Sequence, residues 1–333
     1  MEEYKDKVSC IICHWKGNLI YRCLKSLENV EAQKIVLTSD INFHFYPNVD
    51  IYYTKLNEPT YKRNWGATVI AKGEYLCFMD DDVEIDSQCI YRMAQVLDNL
   101  PDLGMVYAIL YKMDNHNIID TSGSFLSWNG FLYETYEKRF VYNQKEDAFY
   151  FNCAYILSSK SACCMIRKDL FMELKGFDRD YCIYGEETDL SWRIWQRGYK
   201  VEIIPQAVAY HAFETPLKPK SYYNPYYIHY HGCKNYITTL LKNLPPNRLY
   251  IALLNAGIWF IMGFAMLFKN RQAGIWIFQG IWYNIRNFKY IWIKRQEIQK
   301  TADYSYFKLI YKNPPLLYYF KRFFEYWNYQ LHG

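Results

Sequence analysis

The chain has 333 residues, 51% hydrophobic and 20% aromatic, enough to build one large domain or two smaller ones around a sizeable core. A net charge of +5 is too mild for a nucleic-acid binder, and no basic stripe with nucleic-acid motifs accompanies it. The ten cysteines form no disulfide-like framework. Cys10 and Cys13 make a C-x-x-C, but on a strand residues three apart face opposite sides, which is a poor zinc half-site. Free thiols in a reducing compartment are the expected state. The charged opening Met1–Lys7 leads straight into a strand and carries no signal-peptide pattern.

The elements follow in order. Residues 8–13 read as a first strand, and Leu19–Leu27 has helical spacing at Leu19, Cys23, Leu24 and Leu27. Lys34–Thr38 and Val49–Tyr53 read as strands, a helix is expected over about 60–72, and the apolar run Tyr75–Met79 is a strand ending at Asp80. This alternation predicts a doubly wound, mostly parallel α/β sheet. Asp86 is expected to cap a helix running to about Leu100, before Pro101. Met105–Leu110 and Ala162–Ile166 read as strands, Lys168–Leu174 as a short helix and Gly176-Phe-Asp178 as a sharp turn. A helix then carries Glu186, Glu187 and Asp189 and ends near Gly198; Val201–Pro205 and Ala207–His211 are extended.

Beyond residue 212 the composition shifts. Leu249–Phe268 is a stretch of roughly 20 residues without a charge, the length of a membrane span. It contains Asn255 and two glycines. Gln272–Ile285 is uncharged but too short to span, and the tail mixes Lys and Arg with Tyr, Phe and Trp. A single span, a pair of in-plane helices and a dimerising helical core all fit, with the in-plane or dimerising readings favoured.

The chemistry concentrates in carboxylates. Asp80, Asp81 and Asp82 close a buried-looking strand, and ligands in open α/β sheets sit just outside the carboxyl ends of strands. Three adjacent carboxylates there are costly unless a cation neutralises them, and hard oxygen ligands suit Mg²⁺ or Mn²⁺ bound with a substrate's phosphates. A solvated acidic turn is the plainer alternative. Glu186, Glu187 and Asp189 lie at a helix start, where they are either dipole-favoured helix charge or a source of a general base. His211 ends an apolar strand and could complete a metal site. Lys62-Arg63-Asn64 offers positive charge to a diphosphate near a helix start.

Taken in order, several motifs resemble a family 2 glycosyltransferase of the GT-A fold, near the bacterial rhamnosyltransferase-like branch. They are Val8-Ser-Cys-Ile-Ile12, Arg22–Leu27, Asn64-Trp-Gly66, Lys72-Gly-Glu-Tyr75, Phe78–Val83, Gly176-Phe-Asp178, Glu186–Leu190, Gly198-Tyr-Lys200, Pro205 and Tyr210-His211. The resemblance covers about residues 7–240. It implies a D-x-D motif in which Asp82 ligates the metal and Asp80 contacts the metal or the donor's ribose, with Asp81 alongside. Asp40 would read the nucleotide, and Arg63 and Asn64 would lie at the donor. His211 would join the metal diphosphate, and Glu187 would be the base, with Glu186 or Asp189 as alternatives. The family often has Asp at the base position, and its first strand usually continues as Pro-Thr-Tyr-Asn where this chain has Cys13-His14-Trp15-Lys16.

The expected organisation is a catalytic domain over 1–240, with a nucleotide-sugar half to about 110 and an acceptor half from 111, followed by a helical membrane-association or oligomerisation region over 241–333. The expected activity is inverting, Mn²⁺- or Mg²⁺-dependent transfer from a nucleotide-sugar (dTDP-rhamnose or a UDP-sugar) to a lipid-linked glycan of a bacterial surface polysaccharide. It is placed at the inner face of the cytoplasmic membrane, with a homodimer through the C-terminal helices as a further expectation. Residues around 110–150 are expected to choose the acceptor, and Trp128 and Tyr184 are either sugar-stacking or packing residues. The rivals are a non-catalytic scaffold of the same fold, and a nucleotidyltransferase, whose glycine-rich basic loop Trp15-Lys-Gly17 does not supply.

Overall fold

The structure is a computed structural model that describes residues 4, 6–134, 155–213, 215–218 and 224–328. Residues 135–154, within the stretch read as acceptor-facing, lie outside the described residues. The chain divides into two compact units, one of Met1–Ser124 and Glu134–Lys218, the other of Phe125–Tyr133 and Pro219–Gly333.

The first unit is built on one mixed sheet. Strands β1 (Val8–His14), β2 (Gln33–Thr38), β3 (Asp50–Tyr53) and β4 (Tyr75–Asp80) are parallel, in the order β3-β2-β1-β4. The sheet continues from β4 through β10 (Cys163–Arg167), β6 (Leu103–Lys112) and β11 (Lys200–His211) to β5 (Val83–Ile85). β7 (Asn115–Thr121) pairs with the far end of β6, and β8 (Ser124–Leu126) and β9 (Leu132–Glu134) form a separate hairpin. β10 is antiparallel to both β4 and β6, so the parallel order expected from the first hundred residues holds as far as β4.

Side-chain alternation explains why both faces are covered. Cys10 and Ile12 of β1 and Cys77 and Met79 of β4 join one core with α1 (Leu19–Ser26) and α3 (Cys89–Asn99). Phe78 faces the other way, meeting Phe171 and Phe177 with ring centroids 5.3 and 5.1 Å apart. Phe171 belongs to α4 (Lys168–Glu173), and beyond Phe177 comes α5 (Glu186–Gln196). The nine cysteines among the described residues are free thiols.

Several local expectations change. The helix expected over 60–72 is α2 (Pro59–Trp65), followed by a single π turn over Gly66–Ile70. Gly66 packs so closely on β1 and β2 that a Cβ would stand 2.8 Å from both Ile11 and Leu37. Asp86 does not cap α3: that helix starts at Cys89, and Asp86 instead accepts the Gln88 N–H within the preceding turn. The two extended segments before His211 are one strand, with a register irregularity between Ile204 and Val208 around Pro205, which has no N–H to give the ladder.

The second unit holds the β8–β9 hairpin with α6 (Gly232–Asn243), α7 (Tyr250–Lys269), α8 (Arg271–Arg286), α9 (Phe288–Gln299), α10 (Phe307–Ile310) and α11 (Leu316–Asn328). It therefore begins before residue 241 and recruits a hairpin from far upstream.

Two contacts fix how the first unit presents its loops. Arg193 lies buried on α5, bonds Asp189 at 2.9 Å, and donates to the carbonyls of Leu174 and Gly176, which pins the Gly176 turn (φ +69°) to the helix. Gly73 sits against β1, where an added Cβ would come within 2.7–2.8 Å of the backbone at Lys7–Ser9. Arg193→Ala should therefore destabilise the protein by about 3–5 kcal/mol in denaturant unfolding, because it strands the buried Asp189. Gly73→Ala should cost about 1–3 kcal/mol in the same measurement, since a strand backbone has no rotamer to yield.

Candidate active site

The carboxyl end of β4 is the centre of the site, and each of its three aspartates has a different partner. Asp80 accepts from Arg63 at 2.7 Å. Asp81 bonds His14 Nδ1 at 2.6 Å and accepts the Trp15 N–H at 3.2 Å. Asp82 lies 2.5 Å from Lys218 Nζ and 3.5 Å from His211 Nε2. The pairing of β5 with β11 places His211 opposite Val83, so the histidine arrives beside Asp82 through strand register.

Asp80, Asp82 and His211 each offer one ligand atom, and these atoms all lie within 4.8 Å of one another. His211 Nδ1 donates to Asp120 at 2.9 Å, which leaves Nε2 turned to Asp82, the arrangement in which a carboxylate orients a metal-binding imidazole. Two carboxylates and an imidazole suit a hard divalent cation, so the residues present fit Mg²⁺ or Mn²⁺. Burial disfavours the His211 imidazolium, but Asp82 and Asp120 outweigh it and raise its pKa to about 9. Burial likewise opposes the Asp82 carboxylate, yet His211 and Lys218 hold it well below the usual range.

Behind His211 stands a buried charge cluster that sequence reading missed. Asp120 is held at 2.9 Å by Lys160 and at 3.0 Å by Lys112, and Lys112 also donates to the Phe213 carbonyl. Single polar residues on strands β6 and β7 gave no signal of this; the pairing of β6 with β7 and β11 brings Lys112, Asp120 and His211 together, and Lys160 reaches Asp120 from the segment before β10.

Arg63 crosses the site. Its guanidinium is 2% exposed and bonds Asp80 and Glu186 at 2.7 Å each. Burial works against that charge, but the two carboxylates overcome it and hold the group ionised. Lys62, Arg63 and Asn64, expected at the donor diphosphate, each have partners within the protein. Lys62 is buried and donates to the His14 carbonyl and Asn57, and Arg63 donates from its two terminal nitrogens to two carboxylates. Asn64 exchanges both amide bonds with the Phe177 backbone. Asp40 sits at the end of β2 as expected, its Oδ2 3.9 Å from His14 Nε2, while its Oδ1 accepts the Asn42 N–H.

The three acids of α5 differ in environment. Glu186 is buried on Arg63 and Asp189 is fully buried on Arg193. Glu187 is half-buried, and burial, with the charge of Glu186, pushes its carboxyl up to about 8. The loop delivering them holds Cys182, Tyr184 and Gly185 at φ +61°, +67° and +81°. Two non-glycine residues in that region are strain of the kind that collects at functional sites. Trp128, in the second unit, is partly exposed and packs edge-on against Tyr319.

The family model "Glycosyl transferase family group 2" matches residues 75–293. No curated protein matches the chain in sequence. Among solved structures, GalNAc-T7 with UDP, GalNAc and Mn²⁺ is similar at a TM-score of 0.52 and 14% identity, over 71% of this chain and 48% of that one. This chain thus spans about half the length of GalNAc-T7. The mannosyltransferase PcManGT from Pyrobaculum calidifontis, in complex with GDP-Man and Mn²⁺, aligns at a TM-score of 0.48 and 13% identity, over 85% of this chain and 88% of that one. With its GT-A-like mixed sheet and a family match over most of its length, the chain belongs to the family 2 glycosyltransferases.

Proposed function

We propose that the protein is an inverting, divalent-metal-dependent glycosyltransferase that moves a sugar from a nucleotide-sugar to a hydroxyl of a lipid-linked glycan. The observation that carries this reading is the cluster of Asp80, Asp82 and His211, tied by Arg63 to the acids at the start of α5. The structurally similar GalNAc-T7 is recorded with UDP, GalNAc and Mn²⁺, which supports a nucleotide-sugar and a metal here. The motif resemblance favours dTDP-rhamnose or a UDP-sugar as donor, and a bacterial surface polysaccharide as the pathway.

The residue roles follow from their environments. Asp80, Asp82 and His211 would hold Mn²⁺ or Mg²⁺, which when bound supplies positive charge for a departing diphosphate. Glu187 is the base: its carboxylate takes the acceptor hydroxyl proton as the oxygen attacks the anomeric carbon and the bond to the diphosphate breaks. Glu186 and Asp189 act by position, one fixing Arg63 and the other fixing Arg193. Asp120 orients His211.

Purified protein offered UDP-, GDP- and dTDP-sugars with Mn²⁺ or Mg²⁺ should release nucleotide from one donor, and Asp82→Ala should abolish that release. Retained release in Asp82→Ala would remove the metal role. A chain that binds a donor yet never turns it over, even with lipid-linked acceptors, would be a scaffold.

Glu187 must be ionised to accept a proton, and its pKa lies near 8 instead of the ordinary 4.5. The pH profile of kcat/KM should therefore rise through about 8 as the pH increases. Glu187→Gln should lower kcat by roughly a hundred- to ten-thousand-fold while donor binding persists. An acid limb near 4.5, or a fully active Glu187→Gln, would move the base elsewhere.

A further inference from the structure

We infer that the second unit docks in the plane of an anionic lipid bilayer through the outer faces of α7 and α11, and that α7 does not cross the membrane. The inference bears on the lipid-borne acceptor proposed above but does not depend on it. By length and composition α7 could span a membrane. Its packing argues otherwise. Ile251, Asn255, Trp259, Gly263 and Met266 recur at helical spacing and are buried. Asn255 donates to the Asn129 carbonyl of the β8–β9 hairpin at 3.0 Å, and Trp259 packs on Phe131 and on Tyr236 of α6. That inner face is taken by elements unsuited to hydrocarbon, since α6 buries Lys234 and Lys242. The neighbouring α8 has 16 residues, about 24 Å of helix against a hydrocarbon core of about 30 Å.

The outer face of α7 is uncharged and exposed at Leu253, Phe260, Ile261, Phe264 and Phe268. Phe260 and Phe264 both touch Phe278 of α8, with centroids 5.5 Å apart, and Trp282 and Ile285 follow Phe278 four and seven residues on, so the apolar stripe continues along α8. The amphipathic α11 exposes Leu316, Leu317, Phe320 and Phe324. Its other side turns inward, with Tyr319 against Trp128 and Tyr326 bonded to His229.

Charge selects the occupant. Residues 224–333 carry fourteen lysines and arginines against three acids, a net +11, whereas the rest of the chain has 25 against 31, a net −6. Arg271, Arg286 and Lys289 are exposed at the ends of the apolar stripe. Apolar helix faces rimmed by cations suit anionic headgroups over acyl chains. A second copy of this unit would bring like charge against like across a two-fold interface.

The test is co-flotation of the full-length protein with phosphatidylcholine vesicles, with and without phosphatidylglycerol. Binding should require phosphatidylglycerol and weaken as salt rises. Ile261→Glu with Phe264→Glu, and separately Leu317→Glu with Phe320→Glu, should each cut partitioning at least about tenfold, since each buries two charges in place of apolar side chains. Circular dichroism would confirm that these surface variants fold. Alkaline carbonate should strip the protein from cell membranes. No vesicle binding, binding indifferent to phosphatidylglycerol or to the substitutions, or resistance to carbonate would overturn the inference. So would a dimer, seen by light scattering, that the same substitutions dissolve. Nucleotide release measured on the variants is separate: docking can fail while transfer stands, and the reverse.

Discussion

The site depends on one buried cation. Arg63 is fixed by α2 and reaches both Asp80 at the end of β4 and Glu186 at the start of α5. Strand, helix and loop are thereby set relative to one another by two charge-assisted hydrogen bonds in a dry setting, where such bonds are strong and a missing partner is costly. Asp80 cannot shift without Arg63, and Glu187 is covalently next to the carboxylate that Arg63 holds. With the roles proposed above, charge stabilisation and proton removal would be coupled through this one buried side chain.

The same logic explains how three consecutive aspartates are tolerated. They do not share one hydrogen-bond partner. Arg63, His14 and the pair of His211 and Lys218 each serve one carboxylate, and His211 is in turn backed by Asp120 with Lys112 and Lys160. The turn between β4 and β5 sends Asp81 to His14, while Asp80 and Asp82 keep oxygens within 4.8 Å of one another and take their cations from different elements. The lift on Glu187 comes chiefly from burial, with the neighbouring charge of Glu186 adding to it and Arg63 offsetting only part.

Much of this was visible in the chain. The apolar run ending in Asp80–Asp82 located the strand and its ligand-bearing end, because burial on both faces and an abrupt change of polarity are local properties. Helices α1, α4 and the C-terminal ends of α3 and α5 followed from spacing within a residue or two, whereas the helix expected over 60–72 gave way to a π turn at Gly66. What stayed hidden depended on phase and pairing. Glu186, Asp189 and Arg193 lie on one face of α5 at three- and four-residue steps and turn inward, while Glu187, a hundred degrees away, does not. In sequence all three acids look alike. Arg63 and Lys62 advertised charge but not direction, and both point into the protein. Asp120 needed the register of β7 on β6, and the hairpin at 124–134 joined the C-terminal helices through contacts more than a hundred residues apart in the chain.

The division of charge between residues 224–333 and the rest of the chain bears on how the molecule behaves in solution. An isoelectric point near 8.5 describes neither part: it averages a strongly basic segment and a mildly acidic remainder. Such a chain carries net charge of opposite sign on two segments. In dilute buffer, the basic segment of one molecule attracts the acidic surface of the next, and this head-to-tail attraction has no reason to stop at two. Salt at physiological strength, with a screening length of about 8 Å, dissolves it. Association that vanishes on adding salt therefore reflects colloidal attraction between opposite poles, and the ionic strength chosen for purification decides whether the protein is handled as single molecules or as a loose polyelectrolyte cluster.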